Sequence, residues 1–66
     1  MTVTVNGQNW ELPDGATLVD VLGRLGVPPA GVAVALDGAV VPRPSWSGTS
    51  LHQDARIDVF TAVQGG

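Results

Sequence analysis

Residues 2–12 read TVTVNGQNWEL, and the fold turns on this stretch. Val3 and Val5 alternate with threonines, which puts both valines on one face of a half-buried strand. Asn6-Gly7 follows; both central positions of a tight hairpin turn need positive φ, and this dipeptide supplies it at least cost. Alternation resumes through Trp10 and Leu12. The chain therefore opens as a β-hairpin.

Beyond it, PDGA at 13–16 breaks the pattern. Thr17 suits a helix N-cap, with Asp20 three residues on as a weak form of the capping box. Leu18, Val21, Leu22 and Leu25 fall at i, i+3, i+4 and i+7, so one helical stripe faces the core. Gly26 fits the left-handed C′ position, and Pro28-Pro29 prevent continuation. The spacing predicts a helix over 17–25. Gly23 in its interior costs about 1 kcal/mol relative to alanine, so this helix depends on docking to a sheet.

Val32, Val34 and Leu36 alternate with Ala33 and Ala35 to give a third strand. Asp37-Gly38 is a second hairpin turn, and AVVP at 39–42 is a short fourth strand closed by proline. Arg43 to Ser50 reads as irregular. Gln53-Asp54-Ala55 turns the chain into a last strand over 56–63, with Ile57, Val59, Thr61 and Val63 on one face and Asp58, Phe60 and Ala62 on the other. The order β-β-α-β-β-β predicts an α+β fold, a mixed sheet with one main helix packed on one face. The simplest closure sets the last strand parallel to the first at the sheet centre, which is the β-grasp, or ubiquitin-like, roll. Residues 1–64 form the domain, and 65–66 a flexible Gly-Gly tail.

Composition narrows the function. A chain of 66 residues must gain its stability from one compact core, because a domain this small buries only about 60% of its unfolded surface. Apolar residues make up 44%, enough for such a core. No cysteine is present, so disulfides, thiolate metal sites and thiol nucleophiles are absent. Three arginines, no lysine and six acids give a net charge of −3. No basic patch for nucleic acid can be built from these, and anionic membrane surfaces are disfavoured likewise. The first residues lack a signal peptide's basic start and apolar stretch. The longest apolar run, Val32 to Leu36, is far below the ~20 residues of a membrane span. The expected location is cytoplasmic.

Conventional catalytic machinery is equally scarce. His52 is the single imidazole, and a base needs an oriented partner; the reading here is a surface histidine. Ser45, Ser47 and Ser50 have no GxSxG context. The glycines form no phosphate loop of known spacing. Asp14, Asp37 and Asp54 stand where turn aspartates stand. No metal site is expected, since His52 and scattered carboxylates are too few.

What remains is the end of the sequence, TAVQGG. With nine glycines in 66 residues, a closing pair arises by chance in about 2% of such chains. A frayed end is the structural reading. The functional one is that two residues without Cβ can enter a narrow channel and adopt backbone conformations closed to others. They would present a carboxylate that becomes an electrophile once adenylated. The group worked upon would then be the main-chain terminus, so a lack of catalytic side chains follows.

With a β-grasp order and a Gly-Gly end, the sequence resembles the bacterial sulfur-carrier proteins, and among them the ThiS type. The resemblance runs from end to end: the first strand and NG turn, DGATLVDVL at 14–22, VAVALDG at 32–38, VVPRPSW at 40–46 against the family's V-P-R-x-x-W, and the closing VFTAVQGG. It implies that an E1-like adenylyltransferase, using ATP and magnesium, activates the carboxylate of Gly66, with Gly65 as the slim neighbour that admits the tail. A persulfide donor then supplies sulfur to form a thiocarboxylate, and a thiazole synthase takes it for the thiazole ring of thiamine. The carrier itself binds no cofactor and is not an enzyme.

Partner contacts follow from the same resemblance. Arg43 is an expected contact for the partner enzymes. Trp46 belongs either to a docking surface or to the core edge. Phe60 lies by alternation on the face away from the helix, beside Ala33, Ala35 and Ala62, and such an apolar patch on a small domain marks a partner site. Val63 and Gln64 lead from it to the glycines. One departure stands out. Relatives commonly begin the last strand with Asp-Gly-Asp, whereas Asp54-Ala55-Arg56 stands here, implying a different turn or strain at the alanine. Three other functions compete: a sulfur carrier for molybdopterin or cysteine synthesis, a ubiquitin-like modifier of target lysines, and a plain interaction module.

Overall fold

The computed structural model describes residues 1–27 and 30–61. Its elements are strands β1 (Thr2–Val5) and β2 (Gln8–Glu11), helix α1 (Leu18–Leu25), strands β3 (Val32–Leu36) and β4 (Ala39–Val40), a 3-10 helix (Arg43–Gly48) and strand β5 (Arg56–Thr61). The sheet order is β2-β1-β5-β3-β4. β5 runs parallel to β1, with Val5 opposite Ile57, and antiparallel to β3, from Val32↔Thr61 to Leu36↔Ile57. The closure expected from the element order is the one observed.

Local signals act as the residue types require. Asn6 has φ 50° and Gly7 φ 83°, both left-handed, and Val5 pairs Gln8 across the turn. The backbone N–H of Thr17 donates to the Asp20 carboxylate at 2.8 Å, satisfying one donor at the helix start. Gly26 closes α1 at φ 73°, its N–H shared between the carbonyls of Leu22 and Gly23. The expected helix stop at Pro28 and Pro29 lies outside the described residues, as does the part of the last strand expected at Ala62 and Val63.

The core sits between α1 and one face of the sheet. Leu18 and Val21 from the helix meet Val3, Val5, Val34 and Ile57 from the three central strands, all at 0–1% exposure. Leu12, Leu22, Leu51 and Trp46 close the edges. Each large aliphatic side chain so buried contributes about 1.5–3 kcal/mol. Leu18, Val21 and Leu22 together therefore outweigh the roughly 1 kcal/mol cost of Gly23 in the helix.

Two expectations change. The segment expected to be irregular holds a 3-10 helix. Pro42 is extended at φ −61° and Pro44 lies in the first turn, where a fixed φ and a missing N–H suit a helix start. The Trp46 indole N–H donates to the Val41 carbonyl at 2.9 Å, tying the turn to the end of the preceding strand. At the start of β5, the left-handed residue is Asp54, at φ 66°. Aspartate tolerates that conformation better than most residues. Ala55 is therefore unstrained, and its methyl is fully buried.

Candidate functional site

Strand pairing assembles a surface on the sheet face away from α1. Ala33 pairs Phe60, Ala35 pairs both Asp58 and Val40, and paired residues share a face. Phe60 is 58% exposed and Val40 74%, while Ala33 is small and exposed. Ala35, expected within this patch, is itself buried. Val40 replaces it as the second large apolar group. The sequence reading missed Val40 because a two-residue edge strand offers too short an alternation to assign a face.

β5 leads from this patch toward the tail. Its parallel register with β1 covers only Thr4↔Arg56 and Val5↔Ile57, because the Asn6-Gly7 turn ends β1. Beyond that point the Asn6 side chain takes over, its Oδ1 accepting the Val59 N–H at 2.8 Å. The central strand thus runs past its neighbour, with a side-chain amide standing where the next β1 carbonyl would be. Of the residues expected to act with the tail, Val63, Gln64, Gly65 and Gly66 lie outside the described residues.

Arg43 and Trp46 lie apart from that face. Trp46 is 4% exposed and part of the core, so its ring packs inside the domain. Arg43 is exposed at the start of the 3-10 helix. Both border an apolar groove between that helix and α1. The structure therefore does not bring Arg43 and Trp46 together with Phe60.

His52 has a partner that residue order conceals. Its Nε2 lies 2.6 Å from Asp37 Oδ2, and its Nδ1 lies 2.9 Å from the Gln53 carbonyl. Facing two acceptors, the ring can donate from both nitrogens only as the imidazolium. The Asp37 carboxylate, then the Gln53 carbonyl, raise its pKa above the ordinary 6.5. Asp37 in turn is lowered from 3.8, first by the Arg56 backbone N–H and then by His52. A ring with both nitrogens engaged offers no lone pair to a substrate, so this pair is a strap between the β3–β4 turn and the loop before β5. Among the described residues no three metal-ligating side chains come together, and no helix is long and apolar enough to cross a membrane.

Comparison with known proteins gives a consistent picture. Residues 3–66 match the ThiS family. The chain is 29% identical over 66 residues to the sulfur carrier protein ThiS of Escherichia coli, covering 100% of both chains. It is 35% identical over the same length to a thiazole synthase of Magnetococcus marinus, of which it spans only 20%. The crystal structure of the thiamine biosynthesis protein ThiS from Geobacter metallireducens superposes with a TM-score of 0.81 at 26% identity, covering 100% of both chains. An NMR structure of a thiamine biosynthesis protein from the same organism also reaches 0.81, at 25% identity and 88% of that chain.

Proposed function

The chain belongs to the ThiS family, and on that premise we propose that it carries sulfur for thiamine biosynthesis as a thiocarboxylate on Gly66. The observation that supports this reading is the likeness to the E. coli sulfur carrier over 100% of both chains, and we take the Gly65-Gly66 pair as the group worked upon. The carboxylate of Gly66 attacks the α-phosphate of ATP on an E1-like adenylyltransferase, and pyrophosphate leaves. The terminal sulfur of a persulfide then displaces AMP. A second thiol cleaves the resulting disulfide and leaves the thiocarboxylate. Thiazole synthase is the acceptor, and the carrier acts as substrate of both enzymes rather than as an enzyme.

The domain's own chemistry is compatible with that passive role. The single imidazole is engaged on both sides, and no cysteine is present to divert an activated acyl group. The exposed face bearing Phe60 and Val40 adjoins the strand from which the tail departs, which supports its use as a docking surface during loading. Family membership favours the thiazole pathway over carriers for molybdopterin or cysteine synthesis and over a lysine modifier. A cytoplasmic location, with ATP and magnesium supplied at the activating enzyme, completes the reading.

The deciding measurement is intact mass after incubation with ATP, magnesium, a sulfide source and the adenylyltransferase of the same genome. Replacement of one oxygen by sulfur in the full chain, and none after deletion of Gly66, is the expected result. An unchanged mass with an adenylyltransferase that loads another carrier would overturn the proposal.

A further inference from the structure

The groove between α1 and the 3-10 helix is a second apolar surface, and the described residues give no reason for one residue in it to be what it is. Gly23 stands mid-helix, where alanine is ordinarily preferred. Its φ is not left-handed, and a Cβ built on it would meet none of the described residues within 4 Å. Neither its backbone conformation nor packing among the described residues therefore calls for glycine. Gly23 instead lines the groove with Val19, Val27, Pro44, Trp46 and Arg43. Glycine at such a place lets another backbone or a bulky side chain come close to the helix.

Charge narrows the occupant. Arg43 is the single charged side chain lining the groove among the described residues. The other arginines are engaged: Arg24 lies over the Trp10 ring and donates to the Glu11 carbonyl, and Arg56 pairs Asp58 at 3.2 Å. The Arg43 guanidinium makes no hydrogen bond or ion pair with the described residues. An apolar cleft with one unengaged guanidinium at its rim fits a segment that carries apolar side chains next to a carboxylate.

We infer that this groove is a docking site for such a segment of the cognate thiazole synthase, separate from the Phe60 face; the inference rests on the sulfur-carrier reading. The synthase is chosen over other partners because a protein named for that activity contains a stretch matching this whole chain within 20% of its own length. A unit that shares a polypeptide with the synthase is held at high local concentration beside it, and a site separate from the Phe60 face leaves that face free for the adenylyltransferase.

The test measures binding of the purified synthase from the same genome to the wild-type chain, Gly23→Ala, Gly23→Leu and Arg43→Glu, alongside each variant's Tm. Wild-type sulfur loading is recorded in the same preparations. The expected result is a Tm raised by a few degrees in Gly23→Ala with a severalfold weaker Kd. Gly23→Leu and Arg43→Glu each weaken binding at least tenfold, the latter with a slower association rate. A purely structural glycine would not give higher stability together with lower affinity. Unchanged affinity in all three variants of a wild-type chain that loads sulfur overturns the groove and leaves the carrier function standing. Failure of the wild-type chain to load overturns the carrier function, and this inference with it.

Discussion

His52 Nε2 and Asp37 Oδ2 lie 2.6 Å apart across fifteen residues of sequence, and this contact ties the β3–β4 turn to the loop before β5. Asp37 also accepts the Arg56 N–H through Oδ1 at 2.9 Å. The carboxylate therefore holds the hairpin turn, the histidine loop and the start of the central strand at one point.

The pair makes stability depend on pH in a stated direction. Because folding raises the His52 pKa above 6.5, its contribution is complete below 6.5 and is lost as pH rises through the raised folded value. Asp37 is lowered from 3.8, so its contribution is complete above 3.8 and is lost as pH falls through the lowered value. The strap is thus strongest between about pH 4 and 6.5. An NMR titration of the His52 ring should give a midpoint above 6.5, and His52→Gln should flatten the fall in Tm between pH 6 and 9. A midpoint at or below 6.5 would remove the strap from the account.

Trp46 is a side chain whose loss the domain tolerates poorly. Its ring is buried and its N–H holds the Val41 carbonyl, so Trp46→Ala should cost about 3–5 kcal/mol. That approaches the whole stability of a domain this small, about 5 kcal/mol. Urea denaturation should show a marginally folded chain that melts at the lowest urea concentrations, with Trp46→Phe retaining the fold at a less reduced midpoint.

The turn into β5 separates two neighbouring residues. Asp54 carries the positive φ and Ala55 the buried methyl. Asp54→Gly should be neutral or stabilising, whereas Ala55→Gly should cost roughly 1–2 kcal/mol from lost burial and added freedom of the unfolded chain. The reverse order in thermal melts would place the strain on the alanine after all.

Phe60 tests the outer sheet face. At 58% exposure its replacement by serine should shift stability by no more than about 0.5 kcal/mol. Binding to the adenylyltransferase should nevertheless weaken at least tenfold if this face docks there. Equal affinity by calorimetry would assign the loading interface elsewhere.

Asn6 should matter more than a turn residue normally does. Removing the side chain that accepts the Val59 N–H should cost about 1 kcal/mol for the lost hydrogen bond. Faster amide exchange should appear specifically at Val59, and Asn6→Gly, which keeps the positive φ, isolates that contribution from backbone strain.

Much of the fold was legible in residue order because its signals are local. The Asn6-Gly7 turn, the Leu18–Val21–Leu22–Leu25 stripe and the Gly26 stop each depend on residues at most a few positions apart. Local propensity and periodicity announce them, although the helix itself is held only once its stripe docks on the sheet. The Gly65-Gly66 end and the V-P-R-x-x-W stretch, which pointed to sulfur carriage, were likewise matters of residue identity and spacing. Other features needed the folded chain. His52 lies fifteen positions from Asp37, and Asn6 is 53 from Val59. Neither pair has a period or motif to announce it. The burial of Trp46 and Ala55, the exposure of Val40, and the open space over Gly23 follow from how the helices and strands meet. Side-chain surroundings are set by packing between distant segments, and only the tertiary structure holds that information.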